Sequence, residues 1–462
     1  MFALGTAPAA SAGGPGSWTR LTPPTQANIA EPGYARTDDD VLQVLWIAPN
    51  AQEPAHQDLF RSAITKNGTL LGSTAVETNW VALSAPALVA EADGLHLDAF
   101  FGGQRTTAAN EKNNGLNLSV SEDRGEQWQL IPGTRADGPG LTSSPMSATR
   151  LGDVFWQAWG GSGYGAFTHR GTTPASPAVN LQERIGGGCC GYEPNIVADQ
   201  VNGLVQVVWY SNSTDATGVW TQALHSATGD PVRDPERMPG TEAASQLSDR
   251  VPFVALPTGG FFAAYPADDK VLVWRIGTAA SRKVGSNVAS LAGTTIAATS
   301  DNRLWLAWSA NVAGVRRVVA RRSNPGATKF GQVVTVKPPP GTSTFWSLYG
   351  EGNPDGVLDA LALVTTPAGI ATWHSQLEPG LTVSAIPAAI KRSKKTNVQF
   401  KVTDAGDPVK GAKVKVGGKS GKTGAGGTVK IKLGKFKKAG HLTAFATLDG
   451  YAQGKTGVKI KK

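Results

Sequence analysis

The sequence predicts an all-β chain: a β-propeller of seven blades, with six as the alternative, followed by a small β-sandwich. Three observations carry this expectation. Apolar residues come in short runs rich in Val, Thr and Trp, punctuated by 56 glycines and 29 prolines, and no amphipathic helical stretch exceeds two turns. A single kind of unit recurs through residues 17–380, in which a proline leads into a short strand and a second, apolar strand ends in an aromatic residue. From residue 381 onward apolar residues alternate strictly with lysines, the pattern of strands with one wet face.

The repeat is regular. Pro32 leads to Trp46, Pro86 to Phe100, Pro145 to Trp159, Pro194 to Trp209 and Pro252 to Tyr265, at intervals of 14, 14, 14, 15 and 13 residues. Successive prolines lie 54, 59, 49 and 58 residues apart, a spacing suited to four-stranded blades with loop insertions. The second strands read VLQVLW (41–46), LHLDAFF (95–101), VFWQAW (154–159), LVQVVWY (204–210), GFFAAY (260–265) and LWLAW (304–308), with VLDALALV (357–364) as a weaker seventh. They are apolar on both faces, as strands are when their sheet is packed between two others. SWTRLTP (17–23) has the character of an outer strand and is expected to close the ring by pairing with GIATWHSQL (369–377).

Charge divides the chain as sharply as pattern does. Residues 381–462 hold 19 basic and 3 acidic residues, a net of +16, whereas the remaining 25 basic and 32 acidic residues give −7. A cationic module that associates with an anionic partner is the expectation for 381–462, beside a mildly acidic body at 17–380. Residues 1–16, beginning MFALGTAPAASAGG, read as the remnant of an export signal or as a disordered arm. No run of eighteen apolar residues occurs, so no membrane-spanning helix is expected. The only cysteines, Cys189 and Cys190, are neighbours, which excludes a disulfide framework and leaves a strained vicinal bridge as the one possible pairing. None of the six histidines falls at a metal-ligand spacing, and neither metal nor cofactor is expected.

One segment is more specific than the repeat. Ser121-Glu122-Asp123-Arg124-Gly125-Glu126-Gln127-Trp128 resembles the Asp-box, Ser-x-Asp-x-Gly-x-Thr-Trp, of the BNR/Asp-box sialidase-like propellers and departs from it at Gln127. Within that motif Ser121, Asp123, Gly125 and Trp128 are structural: Asp123 accepts N–H bonds inside the turn, Gly125 supplies a positive φ, and Trp128 packs the turn on its blade. A degraded copy runs from Ser323 to Phe330. Cys189-Cys190-Gly191-Tyr192-Glu193-Pro194-Asn195-Ile196 is similar to a Cys-Cys-x-Pro stretch of bacterial sialidase-like proteins, with Gly191, Tyr192 and Glu193 standing where that stretch has a single residue. The run 406–414, with Gly426-Gly427 and Asp449-Gly450-Tyr451, resembles bacterial immunoglobulin-like and carboxypeptidase-regulatory-like domains.

The repeat also locates a site. Residues just ahead of the blade-leading prolines converge on a central funnel: Glu31, Ser84, Ser144, Tyr192, Glu193, Asp249 and Arg250. Loops between second and third strands add His56, Asp58, Arg105, Tyr164, Asp215, Asp268 and Arg317. The family's chemistry uses three arginines on a carboxylate, a tyrosine nucleophile with a glutamate, and an acid or base aspartate. The resemblance therefore implies Tyr192, Glu193 and Asp249 as catalytic candidates and Glu31, Arg105, Arg250, Tyr164 and Tyr265 as ligand-binding candidates. The Arg-Ile-Pro element of true sialidases is missing, Gly33-Tyr34-Ala35-Arg36 standing in its neighbourhood.

Three expectations of function follow. The first is a secreted or surface-associated monomer whose funnel recognises a glycan or other extracellular ligand while residues 381–462 bind an anionic envelope polymer. The second is an exo-acting glycosidase of the sialidase class, and the third a purely structural surface protein. Sequence-specific nucleic-acid recognition is not expected, because no aromatic platforms interleave with the lysines.

Overall fold

A strand apolar on both faces is stable where neighbouring sheets cover it on both sides. In the computed structural model, which describes residues 15–26, 30–91, 93–106, 115–131, 145–160, 166–171, 179–185, 190–247, 249–289 and 293–462, the strands of the repeat are covered in that way. Each apolar run is the second strand of an antiparallel sheet: Leu42–Pro49, Leu97–Gln104, Val154–Gly160, Leu204–Ser211, Phe261–Ala267, Arg303–Val312 and Leu358–Thr366. The described residues before Gly380 form seven such sheets.

Their first strands lie on the inside. Gly33–Arg36, Ala87–Ala90, Met146–Leu151, Gly191–Asp199, Phe253–Ala255, Thr294–Thr299 and Thr344–Gly352 touch one another in chain order, and the last returns to touch the first. The sheets therefore stand radially about one axis, and the fold is a β-propeller. Seven buried apolar clusters fill the wedges between neighbouring sheets. The cluster across the closing seam joins Leu42, Val44 and Ile64 of the first sheet to Tyr349, Leu361 and Leu363 of the seventh. Thr19–Arg20 adds as the outer strand of that seventh sheet, with Thr19 opposite His374 and Arg20 opposite Trp373. The N-terminal segment and the end of the propeller thus share one sheet, leaving no open edge at the seam.

Pro32, Pro86, Pro145 and Pro252 immediately precede first strands, where a residue without an N–H costs no ladder bond. Pro194 instead lies inside Gly191–Asp199, where the register slips between Tyr192 and Asn195. The extra length ahead of this proline is taken up in a β-bulge, with Glu193 at φ +50°.

The turn at Ser121–Trp128 joins the third strand of the second sheet, Gly115–Ser121, to its fourth, Gln129–Ile131. The Asp123 carboxylate accepts the Gln127 N–H at 2.9 Å and the Ser121 hydroxyl at 2.8 Å, and the first of these bonds holds its carboxyl below the usual range. Trp128 Nε1 donates to the Gly125 carbonyl at 2.9 Å, and Gly125 sits at φ +89°. Asp123→Ala removes two bonds at a partly exposed turn. It is expected to lower stability by about 1–2 kcal/mol in urea titration, with the slope of the transition unchanged. The segment Ser323–Phe330 occupies the equivalent turn of the sixth sheet, with Gly326 at φ +74°.

Beyond Gly380 the alternating strands form two sheets. Thr382–Ile386, Thr396–Asp404, Asp407–Pro408 and Thr428–Leu433 make one, and Ala389–Lys391, Lys413–Val416, Lys419–Lys422, Gly440–Thr447 and Gly454–Lys461 the other. Val398, Phe400, Val414, Ile431, Ala444 and Val458 interlock between them as a separate core. The sandwich is clamped to the sixth blade. Arg322, buried, donates through Nε to Asp404 at 3.1 Å, and Arg303 donates to Asp407 at 2.7 Å. The Arg322 guanidinium lies 5.7 Å from the Tyr451 ring centroid. Among the described residues no helix is long and apolar enough to cross a membrane.

Candidate functional site

Seven first strands around one axis leave a cavity of about 410 Å³ between them. Because side chains alternate along a strand, every second residue of each inner strand faces this space. Tyr34 with Arg36 on the first blade, and Tyr349 with Glu351 on the seventh, reach it in that way, and the loops leading into the first and fifth blades add Glu31, Asp249 and Arg250.

Arg250 holds the mouth of the ring together. Its Nε donates to Glu31 at 2.7 Å and its backbone N–H to the other oxygen of the same carboxylate at 3.0 Å. Nη1 donates to the Met146 carbonyl at 2.9 Å, and Nη2 to the carbonyls of Pro32 at 2.8 Å and Pro86 at 3.3 Å. One guanidinium thus joins the blade-leading segments of the first, second, third and fifth sheets. The chain of bonds continues on the other side. The Ser147 hydroxyl donates to Asn195 at 2.7 Å, and Asn195 Nδ2 donates to the Val251 carbonyl at 3.0 Å.

The acids around this arginine outnumber it. Asp249 accepts the Tyr349 hydroxyl at 3.0 Å through Oδ1, while Oδ2 is buried with no hydrogen-bond partner. Burial, then the neighbouring Glu31, pushes its carboxyl up to about 7. Glu193 Oε2 is likewise buried without a partner, and burial followed by repulsion from Glu31 and Asp249 takes that carboxyl up to about 8. Elsewhere in the lining, burial raises the Glu351 carboxyl to about 7, although the residue is only half-buried. Arg36 beside it is committed to Asp359 at 2.5 Å and to the Gly352 carbonyl at 3.2 Å. Burial also raises the phenols of Tyr34 and Tyr349, whose rings lie 6.4 Å apart, so both remain hydroxyls.

The structure brings three of the sequence-derived residues together at the cavity lining, Glu31, Asp249 and Arg250, with Glu193 close to their charges but outside the lining, and sets others apart. Arg250, expected to grip a ligand, instead spends the donors of its nearly buried guanidinium on Glu31 and three carbonyls, which is a structural arrangement. The ion partner of Arg250 is Glu31, across the ring, and not its chain neighbour Asp249. Tyr265, also expected to contact a ligand, lies outside the cavity lining. Its ring is fully buried, stacked on Tyr210 at 5.9 Å, with its hydroxyl donated to the Ser245 carbonyl at 2.7 Å. Tyr192 packs against the wedge between the fourth and fifth sheets and accepts a bond from Asn212 Nδ2 at 3.4 Å, outside the cavity lining.

Arg105 also lies outside the lining, held by Glu77 at 3.4 Å and by the Thr78 carbonyl at 3.1 Å over the Trp80 ring. Asp58 is buried and accepts the Asn79 N–H. Tyr164, Ser144 and Cys189 lie outside the described residues. Cys190 is disulfide-bonded. The residues that sequence reasoning missed are Tyr34, Arg36, Tyr349 and Glu351; their signal was the i, i+2 spacing of polar residues on inner strands.

Histidine spacing gave no metal set, yet the fold gathers Glu91, Asp93 and His96 at the turn after the second inner strand. Glu91 is paired there with Arg150 and Asp93 with His96, so these charges are already answered.

No protein-family model matches the chain, and neither does any curated protein. Solved structures do. Hadza microbial sialidase Hz136 aligns at 12% identity and a TM-score of 0.45 over 76% of this chain and 66% of its own, just under two thirds. A protein from Dyadobacter fermentans whose function is unknown aligns at 14% identity and a TM-score of 0.43, over 78% and 98%. The polysaccharide lyase Uly1 aligns at 10% identity and a TM-score of 0.44, over 75% and 90%. Likenesses this distant bear on no residue of this chain, and the fold rests on the closed ring of sheets.

Proposed function

We propose that the axial cavity recognises a glycan-type ligand outside the cell, while the basic sandwich, which resembles immunoglobulin-like modules, holds the protein near an anionic surface. One observation carries the reading: Asp249 lines the cavity with one carboxylate oxygen buried and unpartnered, while its other oxygen accepts the Tyr349 hydroxyl. A buried polar atom without a partner is unfavourable, and a sugar hydroxyl, both donor and acceptor, satisfies it whether or not the carboxyl holds its proton. The disulfide at Cys190 supports an oxidising compartment.

The test is a broad glycan array with the full chain, followed by titration of the best ligand against Asp249→Ala. Saturable binding weakened about tenfold, the loss of one buried hydrogen bond to a charged or polar partner, is the expected result. An array without a saturable ligand overturns it.

A second reading, an exo-acting glycosidase on a sialidase-type scaffold, is favoured by Asp249 in the cavity lining and Glu193 beside it, two carboxyls that burial and the neighbouring Glu31 push upward, since glycoside hydrolysis needs a carboxyl that donates a proton and one that accepts it. Both cavity arginines among the described residues are committed, so a neutral glycoside fits better than a sialoside. Release of fluorophore from any glycoside, lost in Glu193→Gln and unchanged in Tyr192→Phe, establishes this reading. Loss in Tyr192→Phe instead restores the tyrosine-nucleophile scheme.

A further inference from the structure

The sandwich does not wear its lysines evenly. Across the outer face of the five-stranded sheet the register aligns Lys455, Phe445 and Lys415 in one row on three adjacent strands, and Thr447, Lys413 and Lys422 in the next. Further along the same face Lys459 lies opposite His441, and Lys461 opposite Lys391. These lysines are exposed and none makes an ion pair among the described residues. Two of the module's three acidic residues, Asp404 and Asp407, are consumed by Arg322 and Arg303 of the propeller, and the third, Asp449, lies near Glu378 at the junction. The clamp removes from the outside the charges that would neutralise this face. The opposite sheet presents outward a sparser mixture, in which Asn397, Gln399 and Thr428 dilute Lys401, Lys430 and Lys432.

Phe445 is the anomaly. It is 39% exposed in the middle of the cationic face, with a lysine directly opposite on each side. Directly opposed residues lie about 5 Å apart, so a six-membered sugar ring laid on the phenyl face carries its substituents to within reach of both ammonium groups. An aromatic face packs against the C–H face of a pyranose, and flanking cations answer an anionic substituent on that ring.

We propose that this face is a binding surface for a linear polyanionic glycan, one whose pyranose rings bear carboxylate or sulfate, with Phe445 as the stacking platform and Lys415 and Lys455 as its charge partners. The proposal deepens the reading of the sandwich as the module that holds the protein at an anionic surface. A single exposed aromatic offers no succession of base-stacking sites for single-stranded nucleic acid. The wet, lysine-rich face around it has no apolar patch to insert into lipid.

The experiment uses the full chain at 0.15 M salt, with size-defined oligogalacturonate as the probe and a neutral glucan of equal length, duplex DNA and anionic-lipid vesicles as comparisons. Oligogalacturonate is expected to bind saturably and Phe445→Ala to weaken it about tenfold. Replacing Lys413, Lys415 and Lys455 together by Gln is expected to weaken it more than tenfold. The same change at Lys401, Lys430 and Lys432, which removes equal net charge from the other face, is expected to alter affinity less than threefold. Equal loss in the two triple variants, an unchanged Phe445→Ala, or the same Phe445 dependence for DNA or vesicles overturns the proposal. Asp249→Ala separates it from the cavity: oligogalacturonate binding retained in that variant keeps the face as the site, and binding lost there overturns it.

Discussion

Replacement of Arg250 by methionine is expected to destabilise the propeller by about 3–5 kcal/mol, the cost of leaving a buried partner charge unanswered. Glu31 and Arg250 are both nearly buried, and the guanidinium is the only bridge joining the carbonyls of Pro32, Pro86 and Met146 to the fifth blade among the bonds described. Methionine matches much of the volume and none of the side-chain donors, so Glu31 keeps only the backbone N–H of residue 250 and three carbonyls lose the guanidinium together. Lysine is expected to rescue little, because one ammonium cannot reproduce the planar fork that reaches three carbonyls and a carboxylate at once. Denaturant titration of the full chain at pH 7 reads the effect, and a loss under about 1 kcal/mol for Arg250→Met would show that the ring closes without this hub. Glu31→Gln in the same background gives the coupling, since the two residues act as one unit.

Arg250 also marks where sequence reasoning stops. The ring itself was legible, because proline lead-ins, apolar second strands and turn glycines are local signals that repeat, and the outer strand at Thr19–Arg20 was legible from the strand it needed to cover. Convergence of the blade-leading loops on one mouth followed from the same repeat. Which groups meet there did not follow. Arg250 chooses Glu31, 219 residues away, over its neighbour Asp249, and that choice depends on how the four blades between them are set around the ring. Tyr349 and Glu351 escaped notice because their inner strand, Thr344–Gly352, has no proline lead-in like those of the first five blades. The Arg322–Asp404 clamp is equally remote, since a surplus of lysines in the sandwich says nothing of how its few aspartates are used.

Stability is expected to fall as pH rises from about 4 to about 8, the reverse of ordinary acid denaturation. The unfolded chain releases the Glu193 proton near 4.5 and the Asp249 proton near 3.8, whereas the folded cavity keeps them to about 8 and about 7, and keeps that of Glu351 to about 7. Between those limits the folded state binds more protons, so each step up in pH favours the unfolded chain. The stabilisation is complete below pH 4 and is lost as pH passes through the folded values. A shift of one unit corresponds to about 1.4 kcal/mol, and Glu193 retains some solvent contact, so its share is discounted to about 2 kcal/mol. Glu193→Gln keeps the shape and cannot ionise. It is expected to raise stability at pH 8.5 by about that amount, to change little at pH 5, and to flatten the profile between pH 7 and 8. Urea titrations at pH 5, 6.5 and 8.5 decide it: a wild-type profile that rises over this interval, or a Gln variant with an unaltered slope, means that water reaches Glu193 freely and that the carboxyls at the mouth are already ionised. The same protons bear on ligand binding, because a carboxyl that holds its proton donates to a sugar oxygen and one that has lost it accepts from a sugar hydroxyl. Affinity in the cavity should therefore shift around pH 7 in the wild type and lose that shift when Asp249, which lines the cavity, is replaced by the amide.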